Sequence, residues 1–580
     1  MNKTLFMPLA VAVLAFASCT DNDYDLSNID SSVQVPVKDF VVPLKSAEVK
    51  LDDALDISDA SKIQKDYTNG QYYVSETGNI TASNEIKVPS FSANGMQKSE
   101  NGDVVLSWVG AQQYFLGVDI KIGKKYVPDY FSLTGEIKSK TVSFSSTASN
   151  ISEFVVDVDK IGVDADLAIQ VKVGGLSTFL TSMHIKGLKV NFAKGLDIDV
   201  TDGTYDPATG LLTINDIDLT TANLDASKNF VYTINMKLKA INVGEGLAAT
   251  FDAAKRELKF AVDATILDGA TVTAKKDDLV DEVTVSSIPS STSYTIATSV
   301  TKINAKTFSG KVKYTIDGIT PKTVNLGDIP SILKETGTNI ELSNPKIYLT
   351  VNNPIKAKGL DVYAQTGIEI KGNTTIETAA DAIKLTEDDN KICLAVKNEG
   401  IKAGYKFVQF DDLKKVLSGG AVPSTLTITV VNPIVPVQDV TDFPLGETYG
   451  SVAGDYEFTT PLQLTENSKI HYEKDFASSE NLDKLTISNA TIDADVDSDV
   501  PLDLDVTVTV NGTGTMTGKT TLAAGQKTLH VDLKGTGVTN ITGVNVVADV
   551  KGNGGILSPK QNIVLKNIKL KVNGYYQEKL

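Results

Sequence analysis

Runs such as "FVVDVDKIGV" (154–163), "YTINMKLKAI" (232–241), "LDLDVTVTV" (502–510) and "NIVLKNIKLKV" (562–572) place an apolar side chain at nearly every second position. Successive side chains of a β-strand point to opposite faces, so this period of two gives one greasy and one wet face per strand. The branched residues Val, Ile and Thr that fill these runs favour the pleated backbone. The pattern dominates from Val104 onward and predicts an all-β chain: a multi-domain array of antiparallel β-sandwich-like modules with a few short helices.

Turn chemistry punctuates the alternation. Asn69-Gly70, Asp202-Gly203, Asn511-Gly512 and Asn553-Gly554 are dipeptides that tolerate the positive φ of tight reversals. Short amphipathic helical pieces are expected at "VNLGDIPSIL" (324–333) and "VQFDDLKKVL" (408–417), which share V-x-[LF]-x-D-[IL]-x-x-[IV]-L. Matching strands follow both, "IYLTVNNPI" (347–355) and "LTITVVNPI" (426–434), each expected to end at Asn-Pro because proline has no amide to donate. These correspondences mark an internal repeat, with a partial echo in "VKLDDAL" (49–55). A second repeat relates "TYDPATGLLTI" (204–214) to "TFDAAKRELKF" (250–260), two hairpin units 46 residues apart. The stretch "LTVNNPIKAKGLDVYAQTGIEIKG" (349–372) resembles the strand, Asn-Pro, strand pattern of the late-embryogenesis-abundant type of β-sandwich, which implies a sandwich there.

The expected organisation is a signal segment 1–18, an acidic tether 19–34, an N-terminal β module 35–139, a β domain with repeated hairpins 140–318, a repeat β domain with short helices 319–446 and a C-terminal β domain 447–580. None of the breaks carries the Pro/Ser linker of freely moving domains, so a semi-rigid rod is expected.

At the N-terminus, Lys3, the apolar run Leu5 to Phe16 and the small residues Ala17 and Ser18 precede Cys19. A run of about 12 residues is too short to span a bilayer and reads as a removable export signal. The segment resembles a bacterial lipobox, with Phe16 as a departure from the Leu-rich form, which implies lipidation of Cys19 and a membrane partner reached through that anchor. Acyl chains contribute roughly 0.8 kcal/mol per buried CH2, and stable attachment needs more than one. Asp21, Asp23 and Asp25 resemble the signal that sends lipoproteins of Bacteroidota to the outside of the outer membrane, and "YDLSNIDSSVQVPVKDFVVPL" (24–44) resembles the start of uncharacterised surface lipoproteins of those bacteria. The resemblance implies a location and no activity.

The 55 basic and 72 acidic residues give a net charge of −17, and Arg256 is the sole arginine. Such a field repels phosphate backbones, and the bidentate fork that reads phosphate is nearly missing, so no nucleic-acid partner is expected. Removing Cys19 from the two cysteines leaves Cys393, in the apolar "KICLAV" (391–396), as an expected buried and inert thiol. His184, His471 and His530 are far apart and accompanied by no HExxH, GxSxG or CxxC spacing. Asp-x-Asp columns such as "DVD" (157–159), "DAD" (164–166) and "DADVDSD" (493–499) read as solvated strand faces, with calcium as the sharper alternative. "SWVGAQQYF" (107–115), with the single tryptophan Trp108, and "NGYYQ" (573–577) are the aromatic candidates for sugar contact.

Together these features predict a non-enzymatic, surface-exposed, lipid-anchored outer-membrane protein that presents a binding or structural surface to a protein or glycan partner. No catalytic, cofactor or metal residue is assigned, and Cys19 is the one site residue. The alternatives are a glycan-binding lipoprotein beside an uptake system, a lipid carrier with a long apolar groove between sheets, and a hydrolase with polar side chains converging in a cleft.

Overall fold

The strand Val155–Val173 shows how the alternation is used: Ile161, Val163, Ala165, Leu167, Ile169, Val171 and Val173 are buried, while Asp164 and Asp166 between them face water. The chain, seen here in a computed structural model that describes residues 32–43, 46–59, 61–109, 132–174, 182–275, 291–482 and 485–579, repeats this arrangement throughout. Among the described residues the strands form sheets of sixteen, eight, six, six and two members. Among the described residues the strand ladders are antiparallel apart from that between Asp389–Ala395 and Lys406–Gln409, which is parallel, as is the isolated bridge Val243–Ala249. The all-β, multi-sheet class expected from the periodicity is the one the chain adopts.

Pairing over long sequence distances ties the sheets together. Ile303–Thr315 pairs with Thr425–Pro444, Gln71–Ile80 with Gly454–Pro461, and Ser32–Pro43 with Asn562–Lys579. One large apolar core runs from Leu55 to Leu557, and a second, from Ile487 to Val572, belongs to the C-terminal sheet alone.

That C-terminal sheet has eight strands. In order they are Ser32–Pro43, Asn562–Lys579, Leu485–Ser498, Thr528–Gly535, Leu502–Leu522, Thr539–Gly552 and Lys469–Leu482, with Ala47–Lys50 also paired to Asn562–Lys579. Leu502–Leu522 doubles back on itself. Thr509 and Thr517 have their hydroxyls 3.4 Å apart, Thr521 donates to Asp505 at 2.8 Å, and the Ala524 amide donates to Asp503 at 2.8 Å. A straight strand would separate Asp505 from Thr521 by roughly 50 Å. The reversal lies at 511–515, and its positive φ falls on Gly514 (+92), two residues beyond the Asn511-Gly512 pair expected to carry it, since Asn511 is still paired with Gly543.

The 46-residue repeat is visible as architecture. Gly203–Asp206 with Leu211–Ile214, and Ala249–Asp252 with Glu257–Ile266, are two hairpins placed on either side of Lys189–Phe192 in one six-stranded sheet. Each turn starts on an aspartate that accepts from amides ahead of it: Asp206 from Ala208 at 3.0 Å, Asp252 from Lys255 at 3.1 Å. Each ends on a left-handed residue, Gly210 (φ +79) in one copy and Arg256 (φ +56) in the other.

The other repeat is also present, with its helices shorter than expected. Lys322–Asn325 leads to a 3-10 turn at Ser331–Lys334, and Lys406–Gln409 to one at Asp411–Lys415. In the first copy Pro330 removes an amide donor immediately before the turn. The echo near the N-terminus is likewise a strand, Ala47–Lys50, followed by the α-helix Leu51–Leu55.

The Asn-Pro expectation holds in one copy only. Lys346–Asn352 ends there, and buried Asn353 donates to the carbonyls of Val362 and Leu385, both at 2.9 Å, while accepting from the Ile355 amide at 3.1 Å. In the second copy Thr425–Pro444 runs through Asn432-Pro433. There Asn432 takes φ +47 and the register shifts against its neighbour, so a bulge absorbs the proline and pairing resumes beyond it.

Candidate functional site

The feature best suited to hold another molecule lies inside the C-terminal sheet. Alternation turns Leu504 and Val506 to the inner face, opposite Val550 and Ala548 on the neighbouring strand. Leu529 and Val531 face inward from the next strand, and Ile563 faces inward beside its ladder partner Val49. Between these walls is a cavity of about 160 Å³ in which every lining side chain is Val, Leu, Ile or Ala, apart from Thr520. Ile332, Ile470 and Leu557 close the end that meets the large core, so the space sits between the two cores.

One wall comes from the N-terminal part of the chain. Ala47–Lys50 supplies Val49, and the helix Leu51–Leu55 supplies Leu51, Ala54 and Leu55. The helix is short because Asp56 takes a left-handed conformation (φ +44) directly after it. It is fixed on one side by the Leu51 amide, which donates to the Gln561 carbonyl at 3.0 Å. On the other side the Asp52 carboxylate accepts from the Tyr72 hydroxyl at 2.9 Å and pairs with the Lys65 ammonium at 2.6 Å. Burial, with the Asp52 carboxylate beside it, pushes the Tyr72 phenol far above its ordinary range.

Behind this wall a smaller apolar cavity of about 30 Å³ is lined in part by Leu333 and Leu417, which hold the last position of the two repeat copies, and by Leu55 from the partial echo. The two full copies thus bring equivalent leucines to one place, and Leu55, Ile470 and Leu557 are shared with the larger cavity.

The larger cavity offers no titratable group and one hydroxyl, so it can hold an apolar group and cannot by itself move a proton. It is closer in kind to the apolar space expected of a lipid carrier than to a polar cleft, but it is a pocket and not a long groove.

The residues singled out in the sequence lie elsewhere. Cys19 and the acids Asp21, Asp23 and Asp25 fall outside the described residues. Cys393 is fully buried, and burial raises its thiol above the usual range, which suits the inert role expected of it. Trp108 belongs to Met96–Val109 and is paired with Leu133, while 110–115 lie outside the described residues. Tyr575 and Tyr576 are half-buried in the C-terminal strand.

The three histidines are not brought together. Each stands on its own strand between two acids: His184 by Asp218 (2.7 Å) and Asp216 (3.9 Å), His471 by Asp549 (2.7 Å) and Glu473 (4.0 Å), His530 by Asp493 (2.5 Å) and Asp532 (3.0 Å). The Asp columns are threaded by lysines in the same way. Lys237 pairs with Asp166 at 2.5 Å, Lys239 with Asp199 at 2.6 Å, and Lys566 with Asp497 at 3.2 Å. Among the described residues, no group of three or more His, Cys, Asp or Glu side chains is arranged to hold a metal ion.

The pair at the outer face of the C-terminal sheet gives a pH prediction. The hydrogen bond to Asp493 raises the His530 imidazole above its ordinary value, and that bond, with Lys571 nearby, lowers Asp493. The stabilisation from His530 is complete below the unfolded histidine value and is lost as pH rises through the folded one; that from Asp493 is present above the unfolded aspartate value and is lost as pH falls through the folded one. The pair is therefore strongest between roughly pH 4 and 6.5. An NMR titration of His530 should show a raised midpoint that falls toward the ordinary histidine value in Asp493→Asn, with Asp532 retaining the remainder of the shift. An unchanged midpoint in that variant would rule out the pairing.

Arg256 also turns away from solvent. Its Nε donates to the Ile151 carbonyl at 3.0 Å, its Nη2 donates to the carbonyls of Ser152 and of Val155 (2.6 Å), and the guanidinium stands 5.5 Å from the Phe251 ring centre. The sole arginine is engaged with backbone.

No protein-family model matches the chain, and no curated protein matches it. Among solved structures, a protein of Parabacteroides distasonis described as secreted aligns at 15% identity and a TM-score of 0.32, covering 46% of this chain and 89% of its own. A protein of Sulfolobus turreted icosahedral virus aligns at 10% identity and a TM-score of 0.09, over 82% of this chain and 97% of its own. No helix among the described residues is long and apolar enough to cross a membrane.

Proposed function

We propose that the chain is a lipid-anchored, surface-exposed, non-enzymatic binding protein whose binding site is the apolar cavity of its C-terminal sheet. The observation that carries this reading is the cavity itself. At about 24 cal/mol per Å³, leaving some 160 Å³ empty costs on the order of 4 kcal/mol, a large share of a domain's net stability. A ligand held there would recover that loss. The lining offers nothing for acid–base or nucleophilic chemistry, which supports binding over hydrolysis. The anchor rests on the lipobox resemblance around Cys19, and the acids that follow it support display outside the cell.

Two measurements test the two halves. Benzene is the size of guest that a dry apolar cavity of about 150 Å³ accepts. Saturating benzene should raise the thermal midpoint of the C-terminal unit, by about 2.7 kcal/mol of stabilisation at a hundredfold excess over Kd; no rise at saturation would remove the binding site. Cys19→Ala should abolish palmitate labelling in cells, and retained label would overturn the anchor.

A further inference from the structure

Resting on the binding reading above, we infer that the cavity receives the aliphatic end of a single-chain amphiphile, about six carbons of it, with the polar head left outside.

The walls fix the chemistry of the part that enters. They contain no charged side chain, no amide side chain and no aromatic ring, and a single hydroxyl at Thr520. A sugar, a carboxylate or a phosphate placed inside would lose its water without finding partners, which costs several kcal/mol per polar group. Flat aromatic ligands gain from ring partners, and there are none here. Branched aliphatic walls on every side favour a flexible hydrocarbon that takes the shape of the space.

Volume fixes how much enters. About 160 Å³ compares with the cavity of about 150 Å³ that holds the six carbons of benzene. A long acyl chain therefore inserts its end and leaves the remainder, with the head group, beyond the rim.

The wall also suggests the way in. Val49, Leu51 and Ala54 keep part of their surface accessible, and they lie on a four-residue edge strand and a five-residue helix. Lys50 and Asp53, exposed beside them, give the rim both signs of charge, where a head group can stay in water.

The test is isothermal titration of the full mature chain with n-alkanoates from three to fourteen carbons, and with lysophosphatidylcholines matched in chain length. Binding should tighten about fourfold per added methylene while carbons are still entering, then level off, as 0.8 kcal/mol per buried CH2 implies. Alkanoate and lysolipid of equal length should agree within tenfold, and Ala548→Phe, which places a ring in the cavity, should weaken both at least tenfold. Affinity that climbs without levelling, that differs more than tenfold between heads, or that survives Ala548→Phe would overturn the inference. Benzene binding without any alkanoate binding would overturn the aliphatic assignment and leave the cavity as a binding site. Failure of both would overturn the two together.

Discussion

Arg256→Ala is expected to lower the stability of the region around the 250–260 hairpin by about 4 kcal/mol, because three carbonyls lose charge-assisted partners at once. Two of those carbonyls belong to Ile151 and Val155, which are buried, so water cannot readily replace the guanidinium. Lysine should not rescue. Its ammonium is a point donor and cannot reproduce a planar fork that reaches three acceptors from one side. Glycine should do better than alanine by about 1 kcal/mol, because Arg256 sits in the left-handed region that the equivalent Gly210 occupies without strain. Denaturant melts and amide exchange over 151–158 would report the series. Equal stability of wild type and Arg256→Ala would mean that the guanidinium contacts contribute nothing.

Ala548→Phe is expected to have the opposite sign. Ala548 is buried on the inner face between Val506 and Tyr472 on the flanking strands, and it borders the cavity. A phenyl ring there fills most of a space that costs on the order of 4 kcal/mol when empty, against about 1–3 kcal/mol of strain from overpacking. The net expectation is a gain of about 1–2 kcal/mol together with loss of benzene binding. A natural protein that becomes more stable when its pocket is filled has retained the pocket at a cost, which is what a binding site looks like. Destabilisation by more than about 2 kcal/mol would show that the space is already closed in solution.

The strand faces were legible in the sequence because their cause is local. A period of two in "DADLAIQVKV" fixes which side chains of Val155–Val173 are inside regardless of what they meet. The hairpin repeat was legible too, since each copy carries its own Asp-initiated turn. Apolar spacing alone predicts longer helices where the 3-10 turns lie, because it does not register Pro330, nor the early stop of a segment held by its flanking strands. The bulge at Asn432 escaped because Asn-Pro ends a strand only when nothing beyond it is in register to pair.

The cavity was not legible at all. Its walls come from 49–55, 332, 470, 500–565, and no periodicity says which two inner faces will stand opposite one another. The runs "LDLDVTVTV" and "NIVLKNIKLKV" supply several of its side chains and carry a clear strand pattern, but a strand facing a void has the same pattern as one facing a core. The pairing of Ser32–Pro43 and Ala47–Lys50 with the last strand of the chain, which places the N-terminal wall, is likewise a contact over more than 500 residues with no local signal.

Diffraction from crystals held under xenon tests the central claim most directly, since xenon enters dry apolar cavities and needs no chemistry from the protein. A strong xenon peak enclosed by Leu504, Val531, Ala548 and Ile563, and its disappearance in Ala548→Phe, is the expected result. Ordered water at that position, or side chains collapsed into it with no xenon, would contradict the account.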